Sequence, residues 1–148
     1  MTKSEITKYN NIKSLKIRHN GNEVPESKIK IHYILALENY KLLLSKRSKT
    51  SKDFKRMSDC LHNLALIYES RRKFTKAIEL YLKSVTLYKY NIRSIFNLLF
   101  HYKKRHNKEM FTKCIRILNE IFTNHMFMIP SKYIKSVEVA LEDYGFLL

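Results

Sequence analysis

Only two glycines and two prolines interrupt this chain of 148 residues. Sandwiches and barrels use such residues at turn after turn, since Gly enters left-handed backbone freely and Pro pre-sets φ. Their scarcity leaves little room for a fold of many hairpins and points to long helices joined by polar turns. The spacing of apolar residues agrees. Pro25 and Glu26 open a helix whose stripe is Ile29, Tyr33, Ala36, Leu37, Tyr40, Leu43 and Leu44. A polar, Lys-rich connection covers Ser45 to Arg56, and a second helical pattern runs from about Asp53 through Leu61, Leu64, Ala65 and Tyr68. Phe74 to Tyr88, Ile95 to Tyr102, Phe111 to Phe122 and Ser131 to Tyr144 supply four more. No segment sustains a period of two. The expected class is all-α, about six helices, each antiparallel to its neighbour. Ahead of them Ile6, Tyr9, Ile12 and Leu15 fall three apart, and Asn20-Gly21-Asn22 is a turn signal. Residues 1–24 read either as a basic N-terminal arm or as a capping helix, and residues 25–148 as the helical domain.

Lys and Arg number 29 against 13 Asp and Glu, a formal charge of +16. A field of that sign attracts nucleic acid, acidic peptides or anionic membrane. Lys, Asn, Ile and Tyr are all abundant, as AT-rich coding also produces, so charge alone does not choose among these. Cys60 and Cys114 make no disulfide framework. Met1 to Asn20 lacks the continuous apolar core of a signal peptide, and no apolar run approaches the ~18 residues of a membrane span. The expected setting is reducing, intracellular and cytoplasmic.

The sequence also echoes itself. Ala77-Ile78-Glu79-Leu80-Tyr81 parallels Ala36-Leu37-Glu38-Asn39-Tyr40, and Phe74-Thr75-Lys76-Ala77 parallels Phe111-Thr112-Lys113-Cys114. Leu61, Leu64, Ala65 and Tyr68 map onto Ile95, Leu98, Leu99 and Tyr102 at an offset of 34. The unit Leu61-x2-Leu64-Ala65-x2-Tyr68 followed by Ala77-x3-Tyr81-x2-Ser84 resembles one tetratricopeptide (TPR) repeat, and Asn63 to Tyr81 is similar to the longer repeats of kinesin light chains. Residues 58–91 match best. In residues 92–125, Leu99 stands where the pattern wants a small residue. Phe111 stands at the second small position under strict 34-residue phasing, and Cys114 does so if the turn is three residues longer. Residues 26–48 match as a second helix and residues 131–146 as a first.

The resemblance implies a short α-solenoid of antiparallel helix pairs and, on the inner face of the first helices, a ligand groove. Its lining would be Asp59, His62, Asn63 and Leu66 in one unit and Arg93, Phe96, Asn97 and Phe100 in the next. Asn63 and Asn97 would hydrogen-bond the backbone of an extended peptide, a task suited to an amide that both donates and accepts. A solenoid places equivalent turns on one edge. Arg71, Arg72 and Lys73 would then join Lys103, Lys104, Arg105 and Lys108 in a basic rim, opposite an edge of Lys46, Arg47, Lys49, Lys52, Lys55 and Arg56. Such rims suit phosphate contacts.

Catalytic patterns are wanting. Gly21 and Gly145 cannot make a Gly-rich phosphate loop. Cys60 with His62 is too small a set for zinc, and His101 and His106 have no acidic third ligand at metal-site spacing. The sparse carboxylates form no acid/base dyad. No catalysis, small-molecule substrate, cofactor or metal is therefore expected. The expected function is protein–protein interaction: a TPR-like adaptor, or a structural subunit of a larger complex, binding an extended, acidic partner segment. The alternative is an RNA-contacting component of a ribonucleoprotein, such as a ribosome-associated factor, that uses the basic turns. Two or so repeats are few for an independent solenoid. The chain also carries an apolar tail, Phe146-Leu147-Leu148, so dimerisation or insertion into a complex would satisfy both.

Overall fold

The computed structural model describes residues 17–19, 22–24 and 26–145. A small hairpin comes first. Strand β1 (Ile17–His19) pairs antiparallel with β2 (Asn22–Val24), Ile17 opposite Val24. Of the turn signal Asn20-Gly21-Asn22, Asn22 opens β2 and the other two residues lie outside the described ones. Residues 1–16, with the stripe Ile6, Tyr9, Ile12 and Leu15, lie outside the described residues, as does the tail Phe146-Leu147-Leu148.

Six α-helices follow among the described residues: α1 (Glu26–Ser45), α2 (Ser51–Ser70), α3 (Phe74–Leu87), α4 (Ile92–Lys104), α5 (Lys108–Asn124) and α6 (Ser131–Asp143). A 3-10 turn, Met126–Met128, leads into α6. The fold is all-helical beyond the hairpin, and its extensive contacts are between sequential neighbours.

The start of α2 lies earlier than the polar composition suggests. Thr50 is its N-cap: the Asp53 N–H donates to Thr50 Oγ1 at 3.3 Å while the Thr50 N–H donates to Asp53 Oδ2 at 2.9 Å. This reciprocal capping box satisfies two otherwise orphaned donors, so the connection shrinks to residues 46–50. Lys46 Nζ adds an ion pair to the Asp53 carboxylate at 2.9 Å. The Thr50 backbone and Lys46 together hold that carboxyl down at about 2.

The sequence echo becomes a backbone echo at the turns. Helix α2 ends at Ser70 and α4 at Lys104, while α3 begins at Phe74 and α5 at Lys108; both offsets are 34. Arg72 and His106 hold the same left-handed conformation, φ 57° and 56°. The Lys73 N–H donates to the Tyr68 carbonyl and the Asn107 N–H to the Tyr102 carbonyl, both at 2.9 Å. The two turns thus have equal length, and Phe111 rather than Cys114 occupies the place of Ala77. Helix α6 ends in the same manner, with Gly145 at φ 78°.

Two apolar clusters make the core. Ile29, Tyr33 and Ala36 of α1 meet Leu61, Leu64 and Ile67 of α2. The larger cluster runs from Ala65 through α3, α4 and α5 to Val137 and Leu141 of α6, and Tyr68 and Leu80 touch both. Ala65 and Ala77 are each 0% exposed, and Tyr81 is fully buried beside them. Two small side chains allow α2 and α3 the most extensive contact in the molecule, and the aromatic fills the remaining space. Helix α1 also carries a second apolar stripe on its solvent side, where Ile31, Leu35 and Leu42 are 50–67% exposed.

Candidate binding groove

Side-chain links tie α2 to α4 and its N-cap, in the same order along both helices. They are Ser58 with Asn91, Asp59 with Arg93, His62 with Ser94 and Glu69 with His101. Helices α2 and α4 therefore run side by side and parallel, with α3 returning between them. Lys103 at the end of α4 reaches the Tyr144 hydroxyl just beyond α6 at 3.3 Å, so α6 continues the row.

The seam between α2, α3 and α4 is a buried polar network. Ser58 Oγ donates to the Ser84 carbonyl at 2.8 Å and Ser84 Oγ to the Ser58 carbonyl at 2.9 Å. Asn91 Nδ2 donates to both hydroxyls, at 2.9 and 3.1 Å, and its Oδ1 caps α4 by accepting from the Ser94 N–H. His62 Nδ1 sits 2.8 Å from Ser94 Oγ, and its ring packs 5.4 Å from that of Tyr81. Burial, aided by the Arg93 charge, holds the His62 pKa down at about 3, so the ring is neutral. Further along, Tyr81 Oη donates to Glu69 at 3.0 Å, and His101 bonds the other oxygen of that carboxylate. Desolvation, then Glu69, raise the Tyr81 pKa. Every member finds a partner, as a polar cluster in a low-dielectric interior must.

Two residues expected on the surface belong to the interior instead. His62 is 2% exposed and bonded within the network, so it does not line the groove. Arg71, 7% exposed, is buried at the C-terminus of α2 and is not part of an exposed rim. The other expected groove residues reach the surface in whole or in part. Asn63 and Arg93 are exposed, Leu66, Phe96 and Asn97 are half-buried, and Phe100 is 58% exposed. Arg93 pairs with Asp59 at 3.6 Å. On the turn edge Arg72, Lys73, Lys103, Lys104, Arg105 and Lys108 are all exposed. Arg105 Nη2 donates to Thr75 Oγ1 at 3.3 Å, which places the α4–α5 turn beside the start of α3.

At the α4–α6 end, the face deepens into a cavity of about 430 Å³. Phe96, Leu99, Phe100 and Lys103 of α4 line it, with Phe111 of α5 and Lys135, Ser136, Val139, Ala140, Asp143 and Tyr144 from α6 and its end. Of this lining, the sequence marks Phe96 and Phe100 as groove candidates and Lys103 as a rim candidate. Lys135, Val139 and Asp143 recur every four residues, which places them on one helical face, but spacing does not say which helix that face meets.

Neither cysteine is a reactive thiolate at neutral pH, since burial pushes the Cys114 pKa up to about 11 and raises that of Cys60. Among the described residues no three His, Cys, Asp or Glu side chains gather as a metal set, and no helix is long and apolar enough to cross a membrane. Comparison with family models, curated proteins and solved structures finds no match to this chain.

Proposed function

We propose that the protein is a TPR-like interaction module that holds an extended, acidic segment of another protein along the α2–α4–α6 face, in a cytoplasmic setting. The observation that carries this reading is the parallel alignment of α2 and α4, with Asn63, exposed, and Asn97, half-buried, at equivalent helix positions 34 residues apart. Two amides in register along a groove can bracket one extended backbone. The charge of +16 supplies the preference for an acidic partner. The test is affinity purification of the tagged protein from its native cells, with and without nuclease. The partner should survive nuclease, and Asn63→Ala with Asn97→Ala should weaken its capture about 10- to 100-fold, the effect of losing one or two peptide hydrogen bonds. Unchanged capture by the double variant would end the groove reading.

One observation favours a second reading. The Arg105–Thr75 contact sets the two basic turns on a common edge. RNA phosphates would bind there, and the copurifying material would then disappear on nuclease treatment.

A further inference from the structure

We propose that the outer side of α1 and the α1–α2 connection form a docking surface for an anionic lipid bilayer. Apolar side chains enter the headgroup region there, and a cluster of cations meets the lipid phosphates and carboxylates. The proposal goes beyond the groove reading and uses none of the groove residues.

Helix α1 is apolar on two sides. Ile29, Tyr33 and Ala36 are buried against α2. Ile31, Leu35 and Leu42 fall within about 40° of one another around the helix and span about 16 Å along it. They are 55%, 50% and 67% exposed. A helix with apolar residues on both sides is normally covered on both, yet among the described residues the extensive helical partner of α1 is α2 alone. Leu42 lies in the last turn of α1, where Leu44 is 52% exposed, and Phe54 is 36% exposed in the first turn of α2. The apolar stripe therefore runs out to the tip where the two helices join.

The same tip concentrates positive charge. Lys46, Arg47, Lys49, Lys52, Lys55 and Arg56 fall within eleven residues, and all are exposed except half-buried Lys49. Asp53 is the one carboxylate in that stretch. It is buried, bonded to the Thr50 N–H and paired with Lys46 at 2.9 Å, so it turns no free negative charge to solvent. Glu38 is the single acidic residue between Ile31 and Leu42. Each Lys or Arg near an anionic bilayer raises the partition onto it by roughly fivefold, and shallow apolar insertion supplies the second signal that stable attachment needs.

The surface is the outside of a helix and a turn, so it offers an extended peptide no groove. Its apolar side chains are aliphatic apart from Phe54, whereas single-stranded nucleic acid stacks its bases on flat rings. A second copy of the chain would bring its own charge of +16 to the contact. An anionic bilayer surface accepts cations and aliphatic side chains together.

The chain contains no tryptophan, so Leu42→Trp sets a single fluorophore on the stripe and Phe100→Trp sets one on the inner face. Each full-length variant is mixed with vesicles of phosphatidylcholine alone or with about 30% phosphatidylserine, which supplies the anionic surface. Emission from Leu42→Trp should shift to the blue and be quenched by brominated acyl chains on the anionic vesicles alone, while Phe100→Trp should stay unshifted. In co-sedimentation the native chain should bind the anionic vesicles at least about tenfold more than the neutral ones. Ile31→Ser with Leu35→Ser, exposed positions with charge unchanged, should lower that binding about tenfold, and so should Lys52→Glu with Lys55→Glu, with circular dichroism unaltered in both. Full binding by the serine variant would leave charge alone and end the proposal. Full binding by the glutamate variant would move the contact to other cations and end it too. A dimer in sedimentation velocity that only the serine variant loses, and that persists on vesicles, would give the face to a second copy. Anionic binding that appears only in a chain beginning at Ile17 would make the face the seat of residues 1–16. Preference for a uridine oligonucleotide over the vesicles, lost in the glutamate variant but not in the serine one, would make the tip a nucleic-acid site. Each of these outcomes overturns the bilayer contact and leaves the groove reading standing.

Discussion

His62 shows how a residue of familiar surface type becomes a structural part. Its neighbours Ser94 and Tyr81 hold it in the dry seam between three helices, and burial keeps its pKa at about 3 against an ordinary 6.5. The linkage has a definite sign. Below pH 6.5 the unfolded chain takes up a proton that the folded chain refuses until about pH 3, so acid favours unfolding. Stability should fall across that window by up to about 1.4 kcal/mol per pH unit from this group. Asp53, whose folded pKa is lowered to about 2 from 3.8, contributes stability that is lost only in the lower window. Urea denaturation at pH 7 and 4.5 should therefore show a loss in the native chain that is much reduced in His62→Leu, even if that variant is less stable throughout. The sequence placed His62 by repeat position, which counts residues along a helix but not its rotation about the axis. A shift of one residue turns a helix by about 100°, and that separates buried His62 from exposed Asn63.

At the scale of elements, the small residues decide how closely helices approach. Ala77→Phe, which copies Phe111 into the first unit, should overpack the α2–α3 contact and cost at least about 1–3 kcal/mol, measured by chemical denaturation. Phe111→Ala sits at a half-buried position beside an existing cavity. It should cost less than the 3–5 kcal/mol typical of core Phe→Ala changes, and it should enlarge the pocket. The six helices and their order were legible in the sequence because apolar periodicity and the Leu64-Ala65 and Ala77 to Tyr81 patterns are local. The equal turn lengths were not. Arg72 and His106 take left-handed backbone without being glycine, so the usual glycine signal for such a position is absent. The capping box at Thr50 was similarly hidden within a Lys-rich stretch, where its Thr-x-x-Asp spacing had to be read through solvated charge. The pocket was half legible: Phe96 and Phe100 were in view, while Lys135, Val139 and Tyr144 acquire meaning only when α6 docks beside α4.

For the whole molecule, the excess of positive charge separates the two functional readings by their response to salt. Phosphates on the turn edge would make binding collapse steeply, by factors approaching ~10³ between 50 and 200 mM salt for six or more contacts, and charge reversal at Arg72, Lys73 and Arg105 would flatten that slope. An acidic segment in the groove would weaken less and would stay sensitive to Asn63 and Asn97. Filter-binding or anisotropy measurements over that salt range check this directly. The same architecture has a mechanical consequence. Extensive contacts join each helix only to its predecessor and successor, so tension applied along the row has no long-range β-ladder to rupture at once. Stretched from its ends, the domain should yield as a series of small extensions, with the outer helices peeling first. The α2–α3–α4 block, pinned by its serine, asparagine and histidine bonds, should hold as the last element to give way.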